Sequence, residues 1–216
     1  MHCQVYTAIF FYLTVVATMF AILNPIGAVP TLIILTENFS QREKKRVIAK
    51  SIGVAAGMII GFMLVGTYIF LVLGIDISDF KVAGGILLFK VAFDMLQGRT
   101  SNTKLTQQET DESLEREAVG IVPLGTPLLA GPGTITTAMI YFNSPQYGTS
   151  FRLIILVAVI TVLVISYILL RLSTPLFNRL GKTGSLLISR IMGLLLASIA
   201  IEFITSGLIS IVHSLI

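Results

Sequence analysis

The sequence predicts an all-α integral membrane protein with six transmembrane helices. These form two inverted-topology three-helix repeats, and the first and fourth helices are discontinuous near the membrane midplane. Three observations carry this expectation. Of the 216 residues, 55% are hydrophobic and 12% charged, against roughly 25% charged in a soluble domain. One soluble core cannot hide that much apolar surface, so lipid must serve as solvent. The first 36 residues contain no Asp, Glu, Lys or Arg. Finally, two clusters rich in Pro and Gly recur at one spacing along the chain.

Six apolar stretches are visible, at residues 5–36, 47–74, 82–98, 118–142, 153–170 and 187–213. A bilayer core needs about 20 helical residues. The charge-free run at the N-terminus is too long for a secretory signal and lacks its basic start and small-residue end; it is expected to be mature membrane structure. As straight helices, 1–36 and 118–151 would each be on the order of 50 Å long. Each instead contains a segment that resists helix formation. The first is Asn24-Pro25-Ile26-Gly27-Ala28-Val29-Pro30. The second is Pro123-Leu124-Gly125-Thr126-Pro127, continued by Ala130-Gly131-Pro132-Gly133-Thr134. Proline removes a backbone donor and crowds the preceding turn, and glycine lets the chain leave helical geometry.

The two halves match. Pro132 follows Pro25 by 107 positions. Gly85 opens Gly-Ile-Leu-Leu-Phe-Lys-Val-Ala-Phe-Asp, and Gly193, 108 positions later, opens Gly-Leu-Leu-Leu-Ala-Ser-Ile-Ala-Ile-Glu. Three spans per half is an odd number, so the second half enters the membrane from the opposite side, a design common among secondary transporters. The expected units are 1–98 (first repeat), 99–117 (linker) and 118–216 (second repeat).

Basic residues set the orientation. Arg42, Lys44, Lys45, Arg46, Lys50, Arg99, Lys104, Arg116, Arg171, Arg179, Lys182 and Arg190 fall at one face, 12 of the 15 Lys and Arg. The positive-inside rule makes that face cytoplasmic. The linker is then cytoplasmic and both termini lie outside. The net charge of +4 reflects this anchoring, so no nucleic-acid partner is expected.

Backbone groups freed at a helix break inside a membrane are tolerated where they line a cavity or meet protein. Half-helix N-termini suit a carboxylate, and freed carbonyls suit an ammonium or a cation. An amino-acid zwitterion needs both. The expected substrate site is therefore at the two clusters, Asn24 to Pro30 and Gly125 to Thr134. Asn24 and Thr134 supply the side chains, and the small residues restrict the pocket to small substrates.

Asp94 and Glu202 are the acids inside spans and the candidates for ion coupling. The competing readings are an ion pair of Asp94 with Lys90, four residues earlier, and a plain helix contact for either acid. Gly53, Gly57 and Gly61 repeat every fourth residue and predict close helix packing, within the chain or between chains, which permits a homo-oligomer. Thr136 and Thr137 are expected to bond back to their own helix. The run Arg42 to Arg46 reads as a topology anchor. The acids Glu109, Asp111, Glu112, Glu115 and Glu117 match no calcium loop. Two histidines near the ends and one cysteine, Cys3, argue against an enzyme, a metal site or a cofactor.

These residues resemble the MarC family of inner-membrane proteins. The resemblance rests on Asn24-Pro25-Ile26-Gly27 with Val29-Pro30, on Ala83 to Phe89, on Val122-Pro123-Leu124 leading into Pro127-Leu128-Leu129-Ala130-Gly131-Pro132-Gly133-Thr134, and on Arg190 to Leu194. It implies six helices, an inner-membrane location and uptake of small neutral amino acids such as glycine, alanine or serine, with the substrate site at Asn24, Pro25, Ile26 and Gly27 and at Gly131, Pro132, Gly133 and Thr134. Protons are the coupling ion it implies, with Na⁺ as the alternative. Export, passive flux and an intramembrane enzyme are the rival readings.

Overall fold

In a computed structural model, residues 2–98, 124–144 and 149–215 are described. The linker expected at 99–117 lies outside them. The described residues are helical, in the order α1 (His2–Leu23), α2 (Pro25–Leu35), α3 (Gln41–Leu73), α4 (Ile77–Leu96), the short wide-turned α5 (Leu124–Leu129), α6 (Pro132–Asn143), α7 (Thr149–Arg171) and α8 (Ser173–Leu215).

Local chemistry explains most boundaries. Ser40 caps α3: its hydroxyl accepts from the Glu43 N–H (3.3 Å), and the Glu43 carboxylate accepts from the Ser40 N–H (2.8 Å). This reciprocal box satisfies two otherwise orphaned donors. Helix α3 stops at Gly74, whose φ of 63° closes the helix in the left-handed region that glycine enters without penalty. Gly181, at φ 64° and ψ −178°, kinks α8 and separates a short leading segment from the long span behind it.

Helix α3 shows why the apolar pattern folds as it does. Val47, Ser51, Ala55, Ile59, Met63, Gly66 and Phe70 are buried along one stripe, the spacing of a single helix face. Val47, Ala55, Ile59 and Met63 join a cluster with Val15, Met19 and Leu23 of α1, Leu32 of α2, and Ile155, Ala158 and Val162 of α7. A second cluster unites Leu88, Ala92 and Met95 of α4 with Leu196, Ala200 and Phe203 of α8.

The outer surface is apolar. Phe10 is 74% exposed and Val72 79%, and such surface on a long helix requires lipid. Among the described residues, four helical stretches are long and apolar enough to cross a membrane: Tyr6–Ile33, Gln41–Gly66, Phe151–Arg171 and Leu186–Ser214. The chain is thus an integral membrane protein with several apolar helices. Helix α4 is not among the four, because Asp79, Lys81, Lys90 and Asp94 interrupt it. Nor is the broken pair α5 and α6.

The most extensive packing joins α4 to α8. A Cβ at Gly85 would meet the Ala200 carbonyl oxygen at 2.8 Å, one at Gly193 the Ala92 carbonyl oxygen at 3.0 Å, and one at Gly207 the Ser78 carbonyl oxygen at 2.8 Å. As the α4 position rises, the α8 position falls, so the helices run antiparallel with their backbones nearly touching. Around this seam α2 packs on α8 and α6 on α4, while α1 and α2 both reach α7, and α5 and α6 both reach α3.

Among the described residues, nothing packs on the glycine repeat of α3. Gly53, Gly57 and Gly61 are exposed, and no atom lies within 4 Å of where a Cβ would stand. The intrachain half of that expectation fails because the buried stripe of α3 runs along a different face. The glycines that meet a carbonyl of the facing helix are Gly85, Gly193 and Gly207.

Candidate functional site

The first break is a single residue. Asn24 has φ 48°, a left-handed conformation that asparagine tolerates better than most residues. Its side chain then caps the helix that follows. Asn24 Oδ1 accepts from the Gly27 N–H at 3.2 Å, which satisfies one free donor of α2. Pro25 begins α2 at the position where a missing N–H costs least. That missing N–H also deprives the Ala21 carbonyl of its regular helical donor. Pro30, by contrast, is carried within α2 without a break. Gly27 lies in contact with the Asn24 side chain, where any Cβ would collide with it.

The second break is longer. Thr126 has extended geometry inside α5 (φ −137°, ψ 132°). The Ala130 N–H donates to the Gly125 carbonyl at 3.0 Å, one residue further than in an α-helix. Gly131, also extended, is the N-cap of α6 and supplies no side-chain cap, and Pro132 follows at the first helical position. Thr134 Oγ1 donates to the Leu129 carbonyl at 3.0 Å, across the break. Thr137 Oγ1 donates to the Gly133 carbonyl at 2.8 Å, as expected of a membrane-helix threonine.

The two breaks lie beside each other, and α4 is the wall they share. Gly133 packs directly on Leu88 and also faces Ile22 of α1, with 3.8 Å from its Cβ position to Ile22 Cγ2. Asn24 Nδ2 reaches Met95 Sδ at 3.6 Å, a weak bond to a soft acceptor. One turn nearer the start of α4 than Leu88, Gly84 packs directly on Thr136. Pro25, Gly133 and Thr134 are buried, Asn24, Ile26, Gly27 and Gly131 half-buried, and Pro132 exposed. The two expected halves of the site are therefore neighbours. Their polar side chains are engaged with the breaks themselves: Asn24 holds an N–H, and Thr134 holds a carbonyl.

Ile22, Leu88 and Met95 belong to this constellation and escaped the sequence reading. The signal for the α4 residues was the helical spacing Gly85, Leu88, Ala92, Met95. The two acids are not at the breaks. Asp94 is half-buried on α4, next to Met95, and Glu202 is exposed on α8. Among the described residues, no ion pair joins Lys90 to Asp94, and no group of three His, Cys, Asp or Glu is placed to hold a metal.

A model described as MarC family integral membrane protein matches residues 9–212. The chain belongs to the MarC family. Its relatives are UPF0056 membrane proteins. One from Methanocaldococcus jannaschii is 35% identical over 199 residues, covering 92% of this chain and 96% of that one. One from Bacillus subtilis is 33% identical over 199 residues, 92% and 94% of the two chains. One from Escherichia coli is 35% identical over 192 residues, 88% of each. These MarC relatives carry no enzymatic name. No solved structure matches the chain.

Proposed function

We propose that this MarC protein is a secondary transporter that imports small neutral amino acids (glycine, alanine, serine) by alternating access, with H⁺ as the coupling ion. It is not an enzyme in this reading. The observation that carries the reading is the meeting of two helix breaks against one wall, α4. At the second break the first turn of α6 has no side-chain cap, so its Gly133 and Thr134 N–H groups are suited to a carboxylate. At the first, the Ala21 carbonyl without its helical donor, and the Asn24 side chain, are suited to the ammonium. Gly27 and Gly133 pack closely against Asn24 and Leu88, so a substrate held by the backbone there must be small.

In this reading the chain has six spans: α1 with α2, α3, α4, α5 with α6, α7 and α8. They form repeats 1–98 and 118–216 joined by the linker 99–117. The packing supports an internal two-fold relation. Gly85 meets Ala200 and Gly193 meets Ala92, and each α8 residue lies 108 positions after its α4 counterpart. Exchange of the halves turns one contact into the other. Likewise α2 on α8 mirrors α6 on α4. The location is the inner membrane, with both termini outside and the linker cytoplasmic. A bond from Lys44 Nζ to Thr174 Oγ1 (2.8 Å) ties the basic start of α3 to the start of α8, so these ends share a face.

Of the two candidate acids, Asp94 is favoured for coupling. It is half-buried and adjoins Met95, the partner of Asn24. Na⁺ held by freed carbonyls is the alternative to H⁺.

Substrate binding tests the site directly. Glycine, alanine and serine should raise the melting temperature of the purified protein, while leucine and phenylalanine should not. At a hundredfold excess over Kd the stabilisation is about 2.7 kcal/mol. Equal shifts for large and small amino acids would remove the size-restricted site.

A further inference from the structure

The last turn of α6 is tied to two neighbouring helices by side chains that take no part in the breaks. Asn143 Nδ2 donates to the Met63 carbonyl of α3 at 3.2 Å and to the Met139 carbonyl of its own helix at 2.9 Å. Residue 66 of α3 is glycine. A Cβ there would stand 2.8 Å from Asn143 Nδ2 and 2.9 Å from Met139 Cε, so α3 leaves the space that this amide fills. Tyr141 donates its hydroxyl to Thr18 Oγ1 of α1 at 3.4 Å. Phe11 of α1 meets the Tyr141 ring edge-on, with centroids 6.3 Å apart. Thr134, Thr137 and Tyr141 are spaced three and four residues apart and share one face of α6. Tyr141 stands about 10 Å along the helix from Thr134, and Gly133, Thr134 and Thr137 are buried behind it. The end of α6 therefore covers the second break from that side.

The Asn143 tie can open without stranding a buried polar group. Met63 lies inside α3, so its carbonyl has a helical donor, and Asn143 uses the second lone pair. On release, Asn143 keeps the Met139 carbonyl, four residues back on its own helix. The matched end of α2 already has that arrangement. Thr36, 107 positions before Asn143, donates to the Leu32 carbonyl of its own helix, also four residues back, at 2.6 Å. We propose that the last turn of α6 is the outer gate of the second break. Asn143 on the Met63 carbonyl and Tyr141 on Thr18 form a latch that holds α6 shut against α3 and α1. Its release opens a path from outside, along the Thr137 face of α6, to Gly133 and Thr134. The end of α2, where Leu32 is fully buried, stays packed meanwhile, and opening one side at a time is what alternating access requires. The gate deepens the transport reading above and rests on it and on its orientation.

The test reads access to the break and needs no transport. The full-length chain with Cys3→Ser carries Thr137→Cys as reporter, in sealed right-side-out and inside-out vesicles. The probe is a membrane-impermeant cationic methanethiosulfonate. Tyr141→Phe, which removes a single hydroxyl, should speed labelling from outside roughly fivefold, the effect of one hydrogen bond. Asn143→Leu should do the same or more, and neither should change labelling from inside. Thr18→Val should match Tyr141→Phe, and the pair together should be no faster than either, since both remove one bond. Thr36→Val should leave outside labelling as it was. A second reporter, Ala158→Cys, is fully buried on α7 and should stay unlabelled throughout. Unchanged labelling in Tyr141→Phe and Asn143→Leu, each eluting as folded protein, would overturn the gate. So would a rise of equal size from both faces or at Ala158→Cys, which is general loosening. Absence of amino-acid uptake with this labelling pattern intact would remove the substrate and keep the gate, whereas uptake with no change in labelling would remove the gate alone.

Discussion

Replacing Gly85 by alanine should loosen the α4–α8 seam, and Gly193→Ala should do so from the other side. At Gly85 the added methyl meets Ile204 Cγ1 at 2.7 Å, which can move, and the Ala200 carbonyl oxygen at 2.8 Å, which cannot move without its helix. At Gly193 the obstacle is again backbone, the Ala92 carbonyl oxygen at 3.0 Å. Overpacking of this kind costs about 1–3 kcal/mol. Gly53→Ala, Gly57→Ala and Gly61→Ala supply the contrast. Their Cβ positions are open, and alanine is favoured over glycine in a helix by up to about 1 kcal/mol. Thermal unfolding in detergent should therefore show the first pair lowered and the α3 variants unchanged or raised. A drop for the α3 series as large as for Gly85→Ala would mean that the seam is assigned to the wrong glycines.

Asn24→Ala should reduce transport by roughly tenfold or more, and the order of variants should identify the cause. Alanine removes the cap on the Gly27 N–H, worth about 1 kcal/mol. It also places a residue poorly suited to positive φ at 48°, a further cost of about 1–2 kcal/mol. Glycine at the same position loses the side chain but accepts the backbone geometry, and it is the better substitute at an N-cap. The expected order of activity is wild type, then Asn24→Gly, then Asn24→Ala. If Asn24→Gly were as inactive as Asn24→Ala, the side chain would be acting on the substrate and not only on the break. If neither lost activity, the first break would not be part of the site.

How far the sequence anticipates this structure differs between elements. The first break is legible because its cause is local: Pro25 cannot donate, and Asn24 tolerates the conformation that results. Pro30 looks equally disruptive in sequence, yet α2 continues through it. The second break is legible as a region only. Its two distortions, at Thr126 and at Ala130–Gly131, come with a bond from Thr134 back to Leu129 that spacing alone does not announce. The Asn24–Met95 contact was not visible, because it joins residues 71 positions apart. The repeat offset joins Asp94 to Glu202 and predicts similar roles for them. Their surroundings differ, one half-buried on α4 and the other exposed on α8, because matched positions in two repeats need not have matched neighbours. The glycines show the same limit. Spacing alone nominated Gly53, Gly57 and Gly61, whereas the close approach occurs at Gly85 and Gly193, where the facing helix presents its backbone.

The most direct test of the transport reading is accumulation of labelled glycine in proteoliposomes under an inward pH gradient, with a sodium gradient imposed separately. The account predicts accumulation above the outside concentration with the pH gradient alone, abolished by an uncoupler and reduced by Asp94→Asn. Accumulation with sodium alone would keep the site at the two breaks and replace the coupling ion. No accumulation under either gradient, by protein shown to be folded, would contradict amino-acid import by this MarC protein.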